Sequence, residues 1–327
     1  MVDRLAGLRH PVKLVFCGTP SFAVPTLEAL LVAGHEITLV VSQPDQPAGR
    51  SRQLTAPAVK QAALAAGLPV TQPANIRTNA EFHARLEPIA PEAIVVVAYG
   101  RIIPSWMLDL PSLGCINLHA SLLPKYRGAA PIQWAVAMGD AFTGNTTMLL
   151  DDGLDTGPVL LQQTVKIAPE QTAVEMFDVL AKAGAPLMVE TLAGLAAGTI
   201  HPQPQNQSLA TFAPLLDRED GRMDFAGRTA TELKNRWRGF QPWPGAFTML
   251  DGKKLIVHRL EAAAAPHAAE SALAEPGQLR IENHRLFAAC AENTWLELLE
   301  LQLEGRKRLT AAEFLHGNPL AASARLG

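Results

Sequence analysis

Cysteine is scarce in this chain. Its 3 cysteines, Cys17, Cys115 and Cys290, stand far apart, which argues against a zinc site of paired thiols and against a disulfide framework, and suits a cytoplasmic setting. Long apolar runs are lacking as well. Ala93 to Ala98 is among the longest, far short of the about 20 residues a membrane-spanning helix needs, so no membrane partner is expected. Arg4 and Arg9 are followed by no apolar signal core before Pro11, so secretion is not expected either. The net charge of −3 is of little use to a protein that lives on non-specific phosphate attraction. No serine stands in a Gly-x-Ser-x-Gly elbow, and covalent serine catalysis is unsupported.

What is present is enough for two domains, because 327 residues exceed the size at which one core keeps growing. Val12 to Cys17 reads as a buried strand closed by Gly18, Pro25 to Ala33 as a helix, and Ile37 to Ser42 as a second buried strand. The pattern continues with helices over Pro57 to Gly67 and Asn79 to Leu86 and a brief strand at Pro69 to Thr71. Ala93 to Ala98 is a β-branched run of the kind buried on both faces of a parallel sheet. Strands are expected at Gly114 to His119, Thr146 to Leu150 and Val159 to Ile167, and a helix at Ala130 to Met138. A long helix over Gln171 to Ala197 should break or kink near Pro186. The polar, proline-bearing run His201 to Ser208 reads as a linker. Short β-like runs follow at Lys254 to His258, Gln278 to Ile281, Arg285 to Ala289 and Trp295 to Leu303, as in a small strand-rich domain or barrel.

The chemistry is expected at Asn117-Leu118-His119-Ala120-Ser121-Leu122-Leu123-Pro124. In an extended segment Asn117 and His119 share a face, and an amide and an imidazole both donate to a developing oxyanion. Asp155, in the Gly153 to Gly157 turn, adds a carboxylate that orients or charges the imidazole or takes a proton through water; as a bland turn residue it would merely cap its own backbone. The run Asp151-Asp152-Gly153-Leu154-Asp155 is a poor calcium loop, with Gln162 at the twelfth position and a misplaced glycine. Gly18-Thr19-Pro20-Ser21-Phe22-Ala23 fills only the first glycine of a dinucleotide fingerprint, and Pro20 offers no N–H to a pyrophosphate. The loop Gln43 to Leu54 is long for a strand-to-helix connection and carries Arg50 and Arg52, which suit a phosphate-bearing substrate. Arg236 with Arg238, Lys253-Lys254 and Arg306-Lys307-Arg308 are further basic clusters.

Gly18 to Ala23, Gln43 to Arg50, Asn117 to Pro131 and Gly153 to Gly157, with a weaker match at Phe240 to Ala246, make the chain resemble the methionyl-tRNA formyltransferases over nearly its whole length. The resemblance implies an α/β fold: a doubly wound, Rossmann-like, folate-binding catalytic domain at 11–200, a linker at 201–214, and a smaller C-terminal β-barrel of the OB type at 215–327 that helps bind tRNA. It implies Asn117, His119 and Asp155 as the catalytic trio. Ser121, Leu122, Leu123 and Pro124 would form part of the folate site, and Arg50, Arg52, Arg236 and Arg238 would contact tRNA. The co-substrate would be 10-formyltetrahydrofolate, with no metal, and the partner initiator methionyl-tRNA, bound by a cytoplasmic monomer. One departure stands out: the family reads aromatic-Ala-Pro-Lys where this chain reads Phe212-Ala213-Pro214-Leu215, so that basic contact is missing or comes from Arg218 or Arg222. The trio equally suits another 10-formyltetrahydrofolate-dependent formyltransferase, or a hydrolase, acting on a small molecule.

Overall fold

The apolar periodicities resolve into alternating strands and helices. The structure, a computed structural model, describes residues 11–48, 53–266, 274–321 and 323–327. The chain divides into two compact units. The first comprises residues up to Pro131 together with Phe142–Lys166 and Glu175–Pro214; the second gathers Ile132–Ala141, Ile167–Val174 and Leu215–Gly327.

In the first unit β1 (Lys13–Gly18), α1 (Val24–Val32) and β2 (Glu36–Val41) occupy the expected places. The polar loop that follows contains a short antiparallel hairpin, β3 (Gln46–Ala48) with β4 (Gln53–Thr55), which composition alone does not indicate. Next come α2 (Ala58–Ala65), β5 (Val70–Thr71), α3 (Ala80–Leu86), β6 (Ala93–Val97), α4 (Ser105–Leu108) and β7 (Cys115–His119). The intervening α5 (Pro131–Ala137) falls, but for Pro131, in the second unit, and β8 (Phe142–Leu149), β9 (Val159–Lys166) and nearly all of α6 (Ala173–Ala196) complete the first.

The sheet is 7-stranded, in the order β5-β2-β1-β6-β7-β8-β9. Its first part is parallel through β7, whereas β8 and β9 pair antiparallel. All residues of β6 and β7 are buried, as a sheet covered on both faces requires. Val15, Cys17, Val96 and Cys115 pack with Phe82, Leu86 and Met107 from α3 and α4. Phe22, just before α1, meets Phe177 of α6 edge-on at 5.1 Å. Helix α6 runs unbroken through Pro186. By length and composition it could cross a membrane, but half of its most apolar window is buried, as in a core helix. Burial pushes the thiol of Cys115 up to about 12 and that of Cys17 higher still, so both are inert.

The second unit contains α7 (Ala230–Gly239), β10 (Phe247–Leu250), β11 (Lys253–Ala263), β12 (Leu279–Glu282), β13 (Arg285–Ala289), β14 (Trp295–Leu303), β15 (Leu309–Thr310) and α8 (Ala311–Gly317). Both helices escape a reading by apolar periodicity, yet each opens on a full capping box, Thr229 with Glu232 and Thr310 with Glu313. The strands form an antiparallel sheet ordered β10-β11-β14-β13-β12, with β15 on β14. The C-terminal residues lie between its two outer strands. Leu326 bridges Leu250 at the end of β10, Arg325 bridges Gln278 beside β12, and the backbone N–H of Gly327 reaches the Met249 carbonyl. The tail thereby joins both edges, which would otherwise expose unpaired backbone groups. Leu326 is buried in the core of this unit with Leu255, Leu298 and Phe314. Leu326→Ala should therefore lower unfolding stability by about 2–4 kcal/mol, read as a lower urea midpoint; an unchanged midpoint would show that the tail does not close the sheet.

Candidate active site

Parallel strands of an open sheet end on one side, and ligands bind outside those carboxyl ends where the strand order reverses. Here the order reverses at β1, which has β2 on one side and β6 on the other. The loops at that edge are tied together: the hydroxyl of Thr19 and the amide of Gln43 both donate to the Tyr99 carbonyl at 2.9 Å. Gly18 is demanded by packing, because a Cβ there would meet Phe16 at 2.8 Å and Ala23 at 3.0 Å. This accounts for a glycine without a pyrophosphate.

Strand β7 carries Asn117 and His119 toward the same edge. Both are buried, at 9% and 6% exposure. His119 Nε2–H donates to the Tyr126 carbonyl at 2.9 Å, since a carbonyl can only accept. That bond fixes the ring and turns Nδ1 toward Asp155 Oδ2, 3.6 Å away. The Asn117 amide makes no side-chain hydrogen bond among the described residues, so its N–H groups are available to a ligand.

Asp155 adopts a left-handed conformation, φ 51°. Its Oδ2 accepts the Gly128 N–H at 2.8 Å. Gly128 itself stands at φ +119°, and a Cβ there would lie 2.7 Å from the Ala213 carbonyl. The other acids of the run serve the turn. Asp151 Oδ1 accepts the Gly153 N–H and the Thr156 hydroxyl, and Asp152 accepts the Ser105 hydroxyl. The three carboxylates do not converge, and no metal-holding cluster occurs among the described residues.

Ser121 and Leu123 are buried, while Leu122 and Pro124 are partly exposed. The Ser121 hydroxyl is spent on the Lys125 carbonyl at 2.6 Å. Thr146 Oγ1 donates to the Ser121 carbonyl and accepts the Leu123 N–H, and Gln162 donates to the Leu123 carbonyl. Of the four, Leu122 and Pro124 keep part of their side-chain surface exposed.

Arg50 and Arg52 lie outside the described residues. Arg236 and Arg238, grouped with them as RNA contacts, turn inward. Arg238 donates to the carbonyls of Ala168 and Gln171 and to Asn235 Oδ1. Arg236 stacks over Phe240 at 4.7 Å and donates to the Asp220 carbonyl. Arg238 is 4% exposed and both its terminal nitrogens are bonded inside the unit, as suits a structural residue. Arg218 and Arg222, by contrast, are exposed, as is Leu215 at 77%.

Sequence reasoning missed four contributors: the Tyr126 carbonyl, the Gly128 N–H, Arg127 and Gln205. Backbone groups leave no trace in composition, and Gln205 hides in a run read as linker. That run is folded onto the first unit: Gln203 exchanges backbone bonds with Val159, and Thr211 and Ala213 bond the Arg127 backbone.

The formyl transferase family profile matches residues 12–192, and that of the formyl transferase C-terminal domain matches 215–319. A methionyl-tRNA formyltransferase from Acidobacterium capsulatum is 65% identical over 97% of this chain and 100% of its own length. The chain belongs to the methionyl-tRNA formyltransferases. Another member, from Koribacter versatilis, is 57% identical over 96% of this chain and 98% of its own. Among solved structures, the sugar 3N-formyl transferase WlaRD, in the presence of dTDP and 5-N-formyl-THF, shares the fold. Its TM-score is 0.63 at 16% identity, over 91% of this chain and 100% of that one. An N-formyltransferase from Helicobacter canadensis, complexed with folinic acid and dTDP-3-aminofucose, matches with the same TM-score over 88% of this chain and 98% of that one.

If Arg238 is structural, Arg238→Met should unfold at a temperature lower by several degrees, because it strands buried acceptors at about 1–3 kcal/mol each. Calorimetry checks this; an unchanged transition would return Arg238 to the surface contacts.

Proposed function

We propose that the edge carrying Asn117, His119 and Asp155 transfers the formyl group of 10-formyltetrahydrofolate to the amine of initiator methionyl-tRNA. The observation that carries this is the convergence of an unpaired amide, a fixed imidazole and a carboxylate in a chain 65% identical to a methionyl-tRNA formyltransferase. The residues fit such a co-substrate: Leu122 and Pro124, in the turn that follows β7, offer partly exposed apolar surface, as a flat, mostly apolar ligand requires.

The amine of the methionyl ester attacks the formyl carbon, and the carbonyl electron pair moves onto oxygen. Asn117 N–H stabilises that oxyanion, joined by His119 Nδ1–H when both ring nitrogens carry hydrogen, the form that the facing Asp155 carboxylate favours, and such donors count most where the side chains are buried. Asp155 receives the amine proton, directly or through water, from its place 3.6 Å from Nδ1. Collapse of the intermediate breaks the bond to the folate nitrogen, and the proton gained at the site is returned to that nitrogen. The enzyme itself forms no covalent bond.

For the RNA, Arg50 and Arg52 fall in sequence between β3 and β4, whose approach is anchored where Lys60 and Gln72 bond Asp45. These hydrogen bonds, first from Lys60 and then from Gln72, hold the Asp45 carboxyl below its ordinary range. Exposed Arg218 and Arg222 are the proposed replacements for the lysine missing at Leu215. Inert, buried thiols suit a cytoplasmic site of action.

Formyl transfer to charged initiator tRNA, measured with purified protein, tests the reading. Asn117→Ala should cost roughly a hundred- to a thousandfold in kcat, and His119→Ala should collapse the reaction. Formylation of a small amine instead, or formate release without an acceptor, would contradict the reading.

A further inference from the structure

The polar segment after α6 does more than connect. Arg127 is buried at 4% exposure, and its guanidinium is aimed at that segment. Nε and Nη2 donate to Gln205 Oε1 at 3.1 and 2.6 Å, and Nη1 donates to Gln207 Oε1 at 2.7 Å. With its oxygen taken twice, Gln205 has one orientation, and its Nε2 points at the catalytic loop. That nitrogen donates to the Asp155 carbonyl at 2.9 Å and to the Gly157 carbonyl at 2.7 Å. A buried cation is tolerated where its donors are satisfied, and these are satisfied by neutral amides in the same layer as Asp155.

The same segment fixes the other side of the carboxylate. The Arg127 N–H donates to the Thr211 carbonyl, the Ala213 N–H donates to the Arg127 carbonyl, and the Ala130 N–H donates to the Ala213 carbonyl. Between them lies Gly128, whose N–H holds Asp155 Oδ2. Residues 205–213 thus grip both the backbone of Asp155 and the donor on its side chain.

We propose that Arg127 and Gln205 are positioning residues for formyl transfer: Arg127 orients Gln205, and Gln205 holds Asp155 in the left-handed turn that faces its carboxylate to His119. This rests on the role given above to Asp155. A misplacement of about 1 Å in a reacting group can cost on the order of a hundredfold in rate, so the hold matters even though neither residue touches substrate.

The test is a double-mutant cycle on the full-length enzyme, with Gln205→Met and Asp155→Ala, singly and together, assayed for formyl transfer. Gln205→Met should lower kcat by about ten- to a hundredfold and leave KM for both substrates within about threefold. In the Asp155→Ala background the same change should cost no more than about threefold, because no carboxylate remains to be placed. Gln205→Glu keeps the oxygen that Arg127 grips but loses the donors, and should reproduce the kcat loss with an unchanged melting temperature. Equal losses in both backgrounds, or an active Gln205→Glu, would overturn the positioning role while leaving Asp155 essential. A fully active Asp155→Ala would overturn the role of Asp155 and this inference with it.

Discussion

The contact on which the site depends is the carboxylate of Asp155 held between the Gly128 N–H and His119 Nδ1. Its geometry is not what the turn would choose unaided. A non-glycine residue in the left-handed region costs about 1–2 kcal/mol, although aspartate tolerates it better than most. A hydrogen bond to an ionised group contributes about 1.5–3 kcal/mol, so the Gly128 bond alone is enough to offset the strain. The long distance to Nδ1 is informative too. At 3.6 Å the imidazole and carboxylate face each other without a direct hydrogen bond.

Everything around this contact positions it. The parallel sheet buries β7 on both faces and brings His119 to its carboxyl end. The Tyr126 carbonyl then engages Nε2 and leaves Nδ1 facing Asp155. Thr146 and Gln162, on the antiparallel strands β8 and β9, shape the Ser121–Leu123 turn from the side. Because β8 pairs with β7 from His119 to Ile116, the strand that carries Asn117 and His119 shares one register with its neighbour. Shifting that register by one residue would turn His119 to the opposite face.

Much of this is legible in the residues. The β-branched run at β6 and the alternation in β7 announce a buried parallel sheet, and the complementary chemistry of Asn117, His119 and Asp155 points to a candidate site, of which the structure brings His119 and Asp155 face to face. What stays hidden has physical reasons. The hairpin β3–β4 is too short and polar for periodicity to register. Helices α7 and α8 are signalled by their capping boxes, not by an apolar stripe. Helix α6 runs through Pro186 because packing overrides local preference. Gln205 carries no local signal, since its role comes from folding a polar run back onto a loop about fifty residues earlier. Arg238 shows the converse: a basic pair reads as surface charge, yet its guanidinium serves carbonyls inside the second unit.

The most direct test of the account is a rapid-quench, single-turnover measurement of formyl transfer by Asp155→Asn, with the binding of donor and RNA measured separately. Asparagine keeps the shape of the side chain but cannot take a proton. The account predicts a chemical step slowed at least a hundredfold, with both affinities within about twofold of the parent enzyme. An unchanged chemical step with weakened binding would contradict it, because Asp155 would then hold a ligand instead of serving the reaction.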